Sequence, residues 1–390
     1  MKEEKQRELQ IKLQTSSLRA YTMLAILILI WLFFHWQTGG IFLTPRNLSN
    51  LMLQTSVTGI LAIGMLMLIA AGQIDLSVGS VLGLAGGVAA IAITYWDYGV
   101  AGSIILAIFV CMLIGFVHGT LVAYFNIPAF IVTLGGLLAW RGAIKGLSQG
   151  ETVPILNPTF KAIGQSNVPA NVGWTLALVA IALILFLTYN HAKKLKKLSL
   201  ETTNNSNNQK LLSVFRAIIL SVAFLLFTYV MNLEGGIPFP VLIFLLSALA
   251  GTFITNSTVF GRHLYAIGGN REAARLSGID TKGSIVKVYI LLGMLTGVAA
   301  VIFAARQASA SPDAGTLKEL EAIAACVIGG ASLVGGRGTI FGACLGALIM
   351  SSLDNGMSLL NIRDYVQEII KGTILVLAVG IDMAGRKTRG

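Results

Sequence analysis

Apolar runs of about twenty residues follow one another along almost the whole chain, separated by short polar breaks. A helix crossing the hydrocarbon core needs about 20 such residues. The pattern gives twelve candidates: 20–37, 51–72, 76–95, 100–124, 128–147, 173–190, 212–232, 238–257, 285–305, 320–336, 338–358 and 366–384. One of them carries "IGGASLVGGRGTIFG", which is glycine-rich enough to interrupt a helix, so a broken or re-entrant segment is expected there. The predicted fold is an all-α integral membrane protein, a polytopic bundle of about 10–12 transmembrane helices, with residues 1–390 forming one domain.

Composition agrees. Hydrophobic residues make up 55% of the chain and charged residues 12%, against about 25% charged in a soluble domain. The 43 glycines suit close helix–helix approach in a membrane. A net charge of +11 raises nucleic acid as a partner, but the basic residues sit in breaks between apolar runs, where the positive-inside tendency accounts for them. No nucleic-acid partner is expected. Cys111, Cys326 and Cys344 all fall inside apolar runs at unrelated spacings, as small packing residues do, without a metal-site pattern.

The basic residues also set an orientation. Of 28 lysines and arginines, 19 fall in four clusters: 2–19, 193–216, 262–287 and 386–389. An even number of candidates separates each neighbouring pair, so all four can be cytoplasmic, with both termini inside. The polar tail 1–19, without a small-residue cleavage site, reads as a cytoplasmic extension rather than a signal peptide. Residues 191–211 read as a cytoplasmic linker and 258–284 as a second large cytoplasmic loop. Residues 151–172 and 306–319, with Pro154, Pro158, Pro169 and Pro312, fall outside. A weak internal echo relates Gly79-Ser80-x-x-Gly83 with Gly87 to Gly338-Thr339-x-x-Gly342 with Gly346.

No nucleotide-binding P-loop, zinc-protease helix or nucleophile elbow is present. Charge in mid-span looks scarce, with Asp75 the one candidate in the first half. A proton-coupled carrier usually needs buried carboxylates, so the sequence favours a passive conduit driven from elsewhere. An ion-gradient-driven secondary sugar carrier is the alternative.

Three kinds of stretch can carry function. "YAIGGNREAARLSGID", residues 265–280, predicts a helix of about two turns, with Asn270 as N-cap, Glu272, Ala273, Ala274 and Arg275 as its body and Gly278 as its stop. Alone it is too short to be stable in water, so it either rests on headgroups or docks on a partner. Asp75 and Ser77 in "QIDLSVGS" serve either as a helix start or as a gate. Asp354 and Asn355 in "SSLDNGMS" lie along the pathway or, since Asn-Gly is a turn signal, form a turn. Arg141 and Lys145, one turn apart, join Arg46, Arg306 and Arg363 as either a positive rim for docking or snorkelling cations. Trp96, Tyr98, Trp140 and Trp174 read as interfacial anchors.

"YAIGGNREAARLSGI" resembles the cytoplasmic coupling loop of sugar ABC-transporter permeases of the ribose/xylose/arabinose group. "LSNLMLQTSVTGILAIGMLMLIAAGQIDLSVGS", "PAFIVTLGGLLAWRG", "ELEAIAACVIGGASLVGGRGTIFGACLGALI" and "DNGMSLL" resemble further segments of that family, in its order. The resemblance implies a homodimeric permease of the bacterial inner membrane that imports a monosaccharide, a pentose such as D-xylose. It implies a cytoplasmic ABC ATPase seated on the loop holding Glu272, Ala273, Ala274 and Gly278. It also implies a sugar-binding protein outside, which the positive rim would meet. The chain would bind no cofactor, since ATP is used by the partner, and would be no enzyme.

Overall fold

A computed structural model describes residues 21–198 and 206–387. The expected tail 1–19 and residues 199–205 of the expected linker lie outside the described residues. Fifteen helices occur among the described residues. Nine precede the second large loop: α1 (Tyr21–Gln37), α2 (Pro45–Ala70), α3 (Val78–Thr94), α4 (Gly99–Ala123), α5 (Ala129–Leu147), α6 (Pro158–Gln165), α7 (Ala170–Leu198), α8 (Ser206–Asn232) and α9 (Phe239–Ser257). That loop holds α10 (Val259–Gly269) and α11 (Arg271–Leu276), and α12 (Thr281–Gln307), α13 (Lys318–Ile328), α14 (Ile340–Leu359) and α15 (Asp364–Lys387) follow. Helix therefore runs into both ends of the stretch expected as a 191–211 linker.

Among the described residues, eight helices are long and apolar enough to cross a membrane: α2, α4, α5, α7, α8, α9, α12 and α14. α1 and α3 are apolar but shorter, at 17 residues. The expected span 320–336 is a correction. α13 stops at Ile328, and residues 329–339 continue without regular helix. The cause is Gly329, Gly330, Gly335, Gly336 and Gly338, four of which hold positive φ. This segment still runs the length of half of α2. Thr58 donates to Glu321, Cys326 Sγ lies 3.2 Å from the Ala62 carbonyl, and Gly336 N–H donates to the Ala70 carbonyl at 3.0 Å. Non-helical backbone at such depth is tolerated because protein encloses it.

Two small antiparallel pairs clip connectors at one end of the bundle. β1 (Val153–Pro154) pairs with β4 (Ser309–Ala310), and β2 (Asn167–Val168) with β3 (Ile237–Pro238). α10 and α11 occupy the opposite end.

α2, α3, α12 and α13 form the centre, enclosed by α4, α9 and α14. α4 and α12 are the closest pair. Gly115 and Gly119 on one meet Tyr289 and Val286 on the other, while Gly293 and Gly297 meet Cys111 and Ile108. Both helices thus present glycines four residues apart, which lets backbone touch backbone. The internal echo has a related use. Gly79 and Gly83 admit the backbone of Gly315 and Ala314 against α3, and Gly342 and Gly346 admit that of Gly329 and Ala325 against α14. α7 and α8 pack mainly on each other and leave most of their apolar surface exposed.

Candidate functional site

The stretch 265–280 contains two helices rather than one. α10 begins at the Thr258 cap, whose hydroxyl accepts from Gly261 N–H at 3.0 Å. It ends where Asn270 becomes extended, and the Asn270 side chain then accepts from Ala273 N–H at 2.9 Å to start α11. Gly278 sits at φ +81° with Ile279 N–H returned to the Ala274 carbonyl at 3.1 Å, which closes the helix. Ala274 is buried beneath α11, whereas Glu272, Ala273 and Arg275 face outward. Glu272 and Arg275 pair at 2.6 Å, and that contact holds the Glu272 carboxyl below its ordinary range. Leu276 beside them is 76% exposed, an apolar side chain with nothing over it.

This surface is tied to the core through glycine. A Cβ at Gly268 would overlap the Ala70 carbonyl and crowd Gly336 N at 2.6 Å. Tyr265 donates to the Gly338 carbonyl at 2.9 Å, and its burial pushes the phenol upward from its usual pKa. Asp280, directly after α11, caps α12 through Gly283 N–H. A displacement of α10–α11 therefore acts on α2, on the α13–α14 connection and on α12. Gly268→Val is expected to separate these elements, lowering the thermal stability of the purified chain by several degrees; an unchanged melting point would mean the contact is slack.

Asp75 and Ser77 lie deep in the bundle, not at an open mouth. Asp75 Oδ1 accepts from Ser77 N–H at 2.7 Å and from its hydroxyl at 2.6 Å. The carboxylate thus closes the turn ahead of α3, so the helix-start reading holds in modified form. Its Oδ2 lies 3.7 Å from His118 Nδ1. Trp140 Nε1 donates to His118 Nε2 at 3.1 Å, so Trp140 is an internal partner and not a plain interfacial anchor. With Nε2 accepting, the neutral ring carries its proton on Nδ1, toward Asp75. The Tyr289 hydroxyl, buried and without a hydrogen bond, lines the same small cavity of about 10 Å³. Sequence reading missed His118 because a lone histidine in an apolar run has no spacing signal.

A second buried cluster corrects the expectation that mid-span charge is scarce. Glu321 accepts from Lys318 and, at 3.0 Å, from Lys371; Lys371 also reaches Asp354 at 2.9 Å. Glu319 is buried as well. Thr58, which touches Glu321, lies 13 residues into the 26 of α2, about 20 Å along its axis. Asp354 and Asn355 do not form a turn: α14 runs straight through them, and Asn355 accepts from Asn47 at 2.8 Å. Gly356 is there because the Phe34 ring lies against it.

At the β1–β4 end, the expected rim is split. Arg46 is exposed, and Lys145 pairs with Asp313 at 3.2 Å. Arg306 is half-buried at the end of α12. Arg141 turns inward, because its guanidinium donates to the Pro312 and Ala314 carbonyls at 3.2 and 2.8 Å. It anchors the segment between α12 and α13. Two residues other than glycine in the left-handed region bracket that segment, Ala308 at φ 52° and Leu317 at φ 65°. Each such strained residue costs about 1–3 kcal/mol.

The family model described as branched-chain amino acid transport system / permease component matches residues 47–379. The xylose transport system permease protein of Haemophilus influenzae is 45% identical, over 96% of this chain and 99% of its own. That of Escherichia coli is 42% identical, over 96% and 94%. The ribose import permease protein of Escherichia coli is 35% identical, over 87% of each chain. No solved structure matches.

Proposed function

The chain belongs to the family described as branched-chain amino acid transport system / permease component, and from that premise we propose that its cargo is D-xylose. It is the membrane-spanning permease subunit of an ATP-binding-cassette sugar importer, a transport component and not an enzyme. The observation that carries the cargo is the similarity to two xylose permeases over nearly the full chain, greater in identity and extent than to the ribose permease.

In this reading the subunit sits in the bacterial inner membrane with the α11 end in the cytoplasm. An ATPase partner, which hydrolyses ATP in its own site, covers Leu276, Ala273 and the Glu272–Arg275 pair. A cleft seated on a short capped helix transmits rigid-body motion. Two copies of the chain form the conduit. A sugar-binding protein meets the opposite end, where Arg46 and Lys145 are exposed.

The test is uptake of labelled D-xylose by proteoliposomes holding the chain, its ATPase, loaded binding protein and ATP. Leu276→Asp and Glu272→Arg are each expected to reduce uptake at least tenfold with the chain still present at normal abundance. The buried carboxylates Asp75 and Glu319 give the ion-gradient alternative a physical basis. Uptake by the chain alone under a proton or sodium gradient would sink the importer reading.

A further inference from the structure

We propose that the recess beside the α12–α13 connection is a monosaccharide subsite on the transport path. This rests on the importer reading above and assigns residues to it. The recess measures about 310 Å³, at the small end of the ~300–1,000 Å³ that small-molecule sites occupy. That volume suits a single sugar ring. Phe303, Gln307, Ser309, Ser311, Thr316 and Lys318 line it.

The lining has the chemistry of a polyol site. Phe303 offers an apolar face to ring C–H groups. The Gln307 amide both donates and accepts. Ser311, which accepts from Asp313 N–H, keeps its proton to donate, while Ser309 and Thr316 give theirs to the Gln307 and Asp313 carbonyls and offer acceptor oxygens. The two charged groups present are already matched. Asp313 pairs with Lys145, and Lys318 with Glu321. A zwitterionic amino acid would need uncompensated charge of both signs, and the recess supplies neither. A neutral ligand rich in hydrogen bonds fits better.

The recess is also held in shape. Arg141 fixes the Pro312 and Ala314 carbonyls, and the left-handed residues Ala308 and Leu317 bound the segment. Lys318, which also lines it, belongs to the cluster with Glu321, Lys371 and Asp354. The Lys318 ammonium has donors left beyond the one on Glu321, so a sugar oxygen bound to it joins the same network and links the recess to α13, α14 and α15.

The experiment uses the full chain in lipid nanodiscs carrying Thr316→Cys, with the rate of labelling by a hydrophilic maleimide as readout. The unsubstituted chain gives the background, since Cys111 and Cys326 are buried and Cys344 is half-buried. D-xylose at high millimolar concentration is expected to slow labelling at least threefold, L-leucine to leave it unchanged, and Gln307→Ala or Phe303→Ala to abolish the protection. Equal rates with and without D-xylose, or protection by L-leucine, would overturn the proposal. Uptake by the unsubstituted complex is a separate reading: its absence would sink the cargo assignment, while the labelling rates still judge the recess.

Discussion

Lys371→Met is expected to destabilise the chain more than any other single charge removal. Lys371 alone bridges Glu321 on α13 and Asp354 on α14. Without it, the buried Glu321 and the half-buried Asp354 share one remaining cation, Lys318. Breaking a buried pair by removing one partner costs about 3–5 kcal/mol, because the other charge stays in place without compensation. The check is the melting temperature of the detergent-solubilised chain, followed by size-exclusion after heating, with yield as a second reading. Lys371→Met combined with Asp354→Leu restores neutrality to the Lys318–Glu321 remainder and is expected to recover most of the loss. If the single variant melted with the unsubstituted chain, the cluster would contribute no stability and its role would have to be sought in transport alone.

Gly293→Val is the second large effect. Gly293 lies against the Cys111 carbonyl carbon, 2.9 Å from where a Cβ would stand, and Met112 Cα at 3.2 Å. The obstructing atoms are backbone, so no rotamer change relieves them. α4 and α12 must separate, and the same shift disturbs the packing at Gly115, Gly119 and Gly297. Overpacking typically costs about 1–3 kcal/mol, and with backbone as the obstacle the upper end is expected. Gly135→Val on α5, where nothing lies within 4 Å, is the control and should melt normally. Equal melting of the two variants would show that the glycine contact is not limiting.

Most spans were legible because hydropathy decides them: α4 and α14 fall within two residues of their expected limits, while α2 and α12 start earlier, at Pro45 and Thr281. The caps were legible too: Asn270 and Gly278 act as their residue types predict. What the sequence hid were pairings over long separations. Glu321 and Lys371 are 50 residues apart, Asp75 and His118 are 43, and each looks like a tolerated polar residue inside its own window. The same averaging made 320–336 look like a span, since it cannot tell an 11-residue helix and a glycine-rich strand of chain from one helix. Asp354–Asn355–Gly356 misled as a turn because the packing demand of Phe34 on Gly356 comes from α1, over 300 residues away.

The Lys371 cluster also bears on how the protein is made. α15 carries Asp364, Glu368 and Lys371 within its first eight residues and is not among the eight helices apolar enough to cross by composition. Charged side chains at mid-bilayer oppose insertion by about 2.5–3.5 kcal/mol each on the translocon scale. α15 therefore enters lipid favourably only when α13 and α14 are in place to receive its lysine. Insertion of α15 becomes a checkpoint on the assembly of the helices before it, because a misplaced α13 would leave Lys371 in the bilayer without Glu321.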